Sequence, residues 1–219
     1  MSDTFSHFDL AAMPKPDAYK LLASVIMPRP IAWVVSRDTT GTLNAAPFSF
    51  FNAMSGNPPV VAIGIGGRGP GDVKDTGGNI RRTGEFVVNL VSHKLAEQMN
   101  ITAIDFPKSV NEMTEAQLTT APSHHVKPPR IAEAPVSMEC ERLVIVDVGI
   151  DRAVILGKVV AFHVQDDCVL DKDRCYIDTP KLDLIGRMHG RGWYARTTDR
   201  FDMPRIDVAD WPLRKAAAE

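Results

Sequence analysis

Two strand-like segments separated by a tight turn constrain this chain more than any other feature. Ile31-Ala32-Trp33-Val34-Val35 is a short apolar run of the β-branched and aromatic kind that packs in a sheet. Arg37-Asp38-Thr39-Thr40-Gly41 follows with turn chemistry, and then comes Leu43-Asn44-Ala45-Ala46-Pro47-Phe48-Ser49-Phe50-Phe51-Asn52. The second run is small and polar at its start, aromatic at its end, and interrupted by Pro47. A proline removes a ladder donor, so a strand buried within a sheet would avoid it. A strand that turns its amides and hydroxyls toward a flat ligand can carry one.

The rest of the chain reads mainly as strands. Residues 31–36, 45–52, 60–64, 85–90, 136–146 and 153–164 are rich in Val, Ile and Phe and are bounded by turn residues such as Asn57-Pro58-Pro59. Gly157 lies within the longest of them and predicts a bend or a close backbone approach. Helices are few and short: 72–83, capped by Asp72 and ended by Gly84; 92–100, capped by Ser92 with Leu95 and Met99 on one face; and 111–118. Ala121–Pro135 reads as a Pro-rich connection. Many strands with short helices between them predict a small closed or split β-barrel, mainly β, as a single domain over 1–219 with an N-terminal arm and a C-terminal tail.

Composition excludes several classes. At 219 residues and a net charge of -2, the chain has no basic stripe for nucleic acid. No apolar run spans a bilayer, and Met1–His7 lacks the features of a signal peptide, so a cytoplasmic location is expected. Cys140, Cys168 and Cys175 lack zinc or redox spacing; Cys140 reads as a buried small side chain, and a Cys168–Cys175 disulfide runs against a reducing compartment. His124 and His125 are adjacent on an extended, Pro-rich stretch, where neighbours point oppositely, so they read as a solvated loop and no metal is expected.

Taken in order, Pro28–Ser36, Gly41–Asn52 and Lys74-Asp75-Thr76-Gly77-Gly78-Asn79-Ile80 followed by Glu85–Asn89 resemble the flavin reductase-like family of FMN-binding split barrels. The resemblance runs from about Tyr19 to Tyr194. It implies a split β-barrel, a homodimer, and FMN at the subunit interface.

The residues themselves offer what FMN requires. Lys74, Thr76 and Asn79, at the start of a short helix, can supply a phosphate site of cation, hydroxyl and free amides. Asp75 beside them is repulsive to phosphate unless it caps the helix and points away. The glycine-rich stretch Gly66–Gly71 is an alternative cradle, though it matches neither a P-loop nor a dinucleotide fingerprint. Asn44, Ala45, Ala46, Pro47, Phe48, Ser49, Phe50 and Asn52 form the candidate shelf for the ring, with Ser49 and Asn52 as side-chain partners; core packing is the alternative for two of Phe48, Phe50 and Phe51. Gly186-Arg187-Met188-His189 resembles the family's late segment that closes over the ring, which makes His189 the candidate catalytic residue at the nicotinamide or flavin edge. The alternative is a satisfied loop histidine. Trp193 and Tyr194 stack on flavin or anchor the tail.

Because flavin carries the redox chemistry, the protein supplies placement and electrostatics. The expected function is an FMN-binding oxidoreductase, an NAD(P)H-dependent flavin reductase passing electrons to free flavin or to a partner oxygenase. FAD is a possible substitute for FMN. An electron carrier without NAD(P)H turnover, a flavin-free split-barrel binding protein and a pyridoxamine-phosphate-oxidase-like role are the alternatives. Arg29, Arg37, Arg68, Arg81, Arg82, Arg187 and Arg191 are equal candidates for reading a 2′-phosphate, and residues 101–135 are expected to shape the substrate side.

Overall fold

A computed structural model describes residues 4–67, 69, 74–107 and 110–216. In chain order its elements are α1 (Lys15–Val25), β1 (Ala32–Arg37), β2 (Leu43–Phe48), β3 (Phe51–Gly56), β4 (Pro59–Ile65), α2 (Asp75–Thr83), β5 (Glu85–Asn89), α3 (Ala96–Ile101) and α4 (Glu112–Glu115). They continue with β6 (Thr120–Ala121), β7 (Arg130–Ile131), β8 (Val136–Gly149), β9 (Arg152–Val164), β10 (Val169–Asp171), β11 (Tyr176–Ile177), β12 (Ile185–Arg187), β13 (Tyr194–Arg196) and α5 (Trp211–Ala216). Short 3₁₀ turns lie between several of them.

Seven strands form one antiparallel sheet in the order β2-β1-β5-β8-β9-β4-β3. Its two edge strands, β2 and β3, are joined only by Ser49 and Phe50. A two-residue link cannot cross the width of a flat sheet whose strands lie about 4.8 Å apart, so the sheet must roll until its edges meet. The result is a mainly β split barrel with its seam at residues 49–50. The Gly64 N–H donates to the Phe50 carbonyl at 2.7 Å and anchors the seam to β4. The expected single strand over 45–52 is therefore two strands. Pro47 is accommodated because β2 is an edge strand, paired on one side only with β1 through Trp33↔Pro47.

Strand alternation divides the core into two layers. Ala32, Val34, Val61, Ile63, Phe86, Val88, Cys140, Ile155 and Val159 face the barrel interior, and Ile80 of α2 packs among them. Trp33, Val35, Ala45 and Val87 face outward under Leu95, Met99 and Met113 of the helical segment. Hence β1 is buried on both faces and carries no polar alternation. Gly157 is a point of close approach: a Cβ there would lie 2.4 Å from the Phe86 ring.

The helices differ from expectation at their ends. α2 begins at Asp75 with Lys74 at its N-cap and ends at Gly84, whose φ of 78° is the left-handed conformation that favours glycine. Asp72, the expected cap, and Arg68, Pro70 and Gly71 of the glycine-rich stretch lie outside the described residues. Ser92 precedes a 3₁₀ turn before α3, makes no capping bond, and leaves its buried hydroxyl without a partner among the described residues. Asn111 does cap α4, accepting from the Met113 N–H at 3.0 Å, but that helix stops at Glu115. α1 was not expected, although Ala18, Leu21, Leu22 and Val25 have helical spacing and Pro16 stands in its first turn. The three cysteines are free. No helix of the described residues is long and apolar enough to cross a membrane.

The stretch from Ala121 to Pro135 is more than a connection, because it wraps a buried carboxylate. Glu139 of β8 is 0% exposed and accepts from the backbone N–H groups of His124 (2.8 Å), His125 (2.6 Å) and Val126 (3.1 Å) and from the His163 ring at 2.6 Å. The His124–His125 loop thus has a structural function through its main chain. The His124 ring also packs edge-on against His163, with centroids 5.1 Å apart.

Candidate functional site

The rolled sheet brings the candidate residues to three adjoining places. The first is a cleft of about 70 Å³ where β2 meets the start of α2, lined by Asn44, Ala46, Pro47, Lys74, Asp75 and Thr76. The buried Asn44 amide donates to the Thr76 hydroxyl at 2.8 Å and joins segments 32 positions apart. The N–H groups of the first turn of α2 point toward this cleft end of the helix, and Lys74, at the N-cap, makes no side-chain capping bond. The Lys74 ammonium stands 5.9 Å from the centroid of Phe48, itself a buried core ring. Cation, amides and hydroxyls at one helix start are the elements of an anion site.

Two expected members turn elsewhere. Asn79 is buried on the inner side of α2, where its amide donates to the Ser36 hydroxyl at 3.2 Å and its oxygen accepts from Arg82. Ala45 points into the core, and only its backbone N–H faces the cleft side, donating to Glu112 at 3.4 Å. The same cleft takes Thr102, Ala103, Ile104, Asp105 and Glu112 from the helical segment. Their position depends on Trp33, whose indole N–H donates to the Thr102 hydroxyl at 2.8 Å, a bond across 69 positions that no local pattern announces.

The second place is the seam. Ser49, Phe50 and Asn52 line a largely apolar cavity of about 350 Å³ together with Leu22 and Ile26 from α1 and its C-cap, Arg29 and Met54. Phe50 stacks on Tyr19 of α1 at 6.0 Å, so the unexpected helix covers the turn. Asn52 spends its side-chain oxygen on the Ala53 N–H at 2.8 Å.

The third place is the β12–β13 hairpin. His189 packs on Trp193 with centroids 4.9 Å apart, and Arg187 lies 4.8 Å from the Tyr194 centroid. The His189 Nδ1 atom is buried and has no partner among the described residues. Arg29 ties this hairpin to the seam. It is 6% exposed, its backbone pairs with Arg187 in both directions, and its guanidinium reaches Met188 O at 3.1 Å and Ser49 Oγ at 3.4 Å. Sequence reasoning grouped Arg29 with six other arginines, whereas the structure gives it a distinct place. Arg81, Arg82 and Arg187 are engaged by Asp147, Asn79 and the carbonyls of Trp193 and Gly190.

Among the described residues, thiols offer little chemistry. Burial pushes the Cys140 thiol far up and raises that of Cys168, which leaves neither as a thiolate nucleophile.

The comparisons agree with this architecture. Residues 24–179 match the model of the flavin reductase like domain. A relative in Deinococcus radiodurans is 44% identical over 218 residues, which cover 98% of this chain and 96% of that one. The solved 2-nitrobenzoate 2-nitroreductase NbaA of Pseudomonas fluorescens is 31% identical with a TM-score of 0.84, covering 93% of this chain and 98% of its own. Nitrilotriacetate monooxygenase component B of Bacillus cereus is 32% identical with a TM-score of 0.85, covering 92% and 100%. By sequence and by overall fold, the chain belongs to the flavin reductase-like family of split barrels.

Proposed function

We propose that this chain binds FMN along the cleft and seam and acts as an NAD(P)H-dependent flavin reductase. The observation that carries the reading is the convergence of Asn44–Pro47 with Lys74–Thr76 at one cleft, beside the apolar cavity at Ser49–Asn52. Lys74 and the amides of the first turn of α2 match a phosphate in charge and donor chemistry. Asn44 and Thr76 present polar groups suited to a ribityl chain, and the seam cavity offers an apolar shelf for the ring. Bound FMN would supply the capacity to take a hydride and pass electrons on.

The chain's own residues bind, orient and exclude water. Lys74 offsets the phosphate charge, Ser49 and the β2 backbone orient the ring, and the phenyl groups of Phe48 and Phe50 shield the seam. His189, with Nδ1 buried and lacking a partner among the described residues, stands ready to donate or accept at the nicotinamide or flavin edge. FAD can substitute if the outer end of the site is open. A homodimer would complete the site; the exposed apolar residues Leu143, Val144, Val146 and Val148 at the distal end of β8, with Ile150 in the turn after it, suit such an interface. The two solved relatives point to two acceptors, a partner oxygenase or a nitroaromatic compound.

The test is a visible spectrum of the purified protein with FMN, followed by anaerobic NADH or NADPH. Bound flavin that bleaches on adding the nucleotide is expected. Bound flavin that stays oxidised indicates an electron carrier loaded by a partner, and a colourless protein after FMN addition overturns the reading.

A further inference from the structure

We propose that Arg29 is the electrostatic element of the flavin site, its buried positive charge favouring the reduced, anionic form of a flavin held at the β2–β3 turn. The proposal rests on the FMN reading and deepens it. Arg29 is 6% exposed and fixed between Pro28 and Pro30. Its fork is spent entirely on neutral acceptors: Nη1 on Ala23 O at 2.7 Å and Ile26 O at 2.6 Å, Nη2 on Met188 O at 3.1 Å, and Nε on Ser49 Oγ at 3.4 Å. None of the ion pairs among the described residues includes it. Ala23 and Ile26 lie at the C-terminal end of α1, whose dipole offsets at most about half a unit charge. A positive charge therefore remains in a site of low polarity.

Burying an ion without a counter-ion is costly, and neutral donors can cap a helix and tie a hairpin without that cost. The charge is thus informative, and its location says what it is for. The guanidinium lies 5.9 Å from the centroid of Phe50 and lines the seam cavity with Ser49 and Asn52. When a reduced nicotinamide gives up hydride, its C–H bond breaks, an N–H bond forms on the flavin ring, and oxidised nicotinamide leaves. Two electrons and one proton have moved, so the ring gains one negative charge. Lys74, facing the phosphate, meets that charge in both redox states and cannot distinguish them. Arg29, behind the ring shelf, can.

The experiment compares dissociation constants for oxidised and chemically reduced FMN, measured anaerobically on the full chain. Wild type is expected to bind reduced FMN more tightly than oxidised. Arg29→Met should move the ratio of the two constants about tenfold toward the oxidised form, equivalent to a potential about 30 mV lower for a two-electron couple. Arg29→Lys, which keeps the charge and loses the fork, should weaken both forms and preserve the ratio. Tighter binding of oxidised FMN by the wild type overturns the proposal even if no Arg29 variant folds. An unchanged ratio in Arg29→Met, with FMN still bound, overturns it too. Wild type that binds neither form removes the flavin reading itself, a result distinct from both.

Discussion

The Asn44 amide and the Thr76 hydroxyl, 2.8 Å apart and both buried, couple the edge strand β2 to the first turn of α2. Asn44→Ala leaves the Thr76 oxygen short of a donor in a dry setting, a loss of about 1–2 kcal/mol in stability. It also frees α2 to shift relative to β2. Chemical denaturation should report the first effect, and FMN titration a loss of affinity beyond what the stability change explains.

Lys74 sits at the N-cap of α2 with its ammonium 5.9 Å from the Phe48 ring centroid. Lys74→Ala should lower FMN affinity by about tenfold, the weight of one charge-assisted contact near a surface, with the melting temperature of the apoprotein nearly unchanged. Affinity for riboflavin, which has no phosphate, should not change. Equal losses for both ligands would place the phosphate elsewhere.

Glu139 makes a pH prediction. Burial alone would push its carboxyl up, but the N–H groups of His124, His125 and Val126 and the His163 ring outweigh that and hold it at about 2. A folded pKa below the unfolded value means the stabilisation is fully present above about pH 4.5 and is lost as pH falls toward 2. The shift corresponds to about 3 kcal/mol. Glu139→Gln should be less stable at neutral pH and should show a shallower fall in stability between about pH 5 and 2, measured by urea unfolding across that range.

At Gly157 a methyl group would meet the Phe86 ring at 2.4 Å inside the barrel. Gly157→Ala should cost about 3 kcal/mol through overpacking. Adding Phe86→Leu should recover part of that loss, and a double-mutant cycle of stabilities measures the coupling. Additive losses would show that the ring moves aside freely.

His189→Ala should slow the anaerobic single-turnover reduction of bound FMN by about a hundredfold, the low end of the usual contribution of a positioned acid–base group, with FMN still bound. An unchanged rate would leave His189 as a hairpin anchor for Trp193.

Much of this was legible in the sequence because the strands are local and strongly patterned. β1, β5, β8 and β9 announce themselves by Val and Ile content, Gly84 marks the end of α2, and Gly157 marks a close approach. The break between β2 and β3 was not legible, since Ser49-Phe50 carries neither Gly nor Pro and its conformation is imposed by the rolling of the whole sheet. For the same reason the cleft lining by Thr102 and Glu112 was hidden: it depends on a Trp33 bond across 69 residues. Asn79 shared a motif with Lys74 and Thr76 and lies on the same buried face of α2 as Thr76, but one turn further from the helix start, where its amide is taken by Ser36. Arg29 was indistinguishable from other arginines until α1, the seam and the β12–β13 hairpin were seen to meet on it.

The two-residue seam has a consequence for how binding competence is acquired. β1–β2 and β3–β4 are hairpins that can form early from local sequence, but their mutual placement is dictated the long way round, through β5, β8 and β9. A pocket built on that junction is finished only when the last strand pairing is in register. Ligand affinity in this chain should therefore act as a gauge of the whole barrel, responding to packing defects on the far wall as readily as to changes beside the flavin.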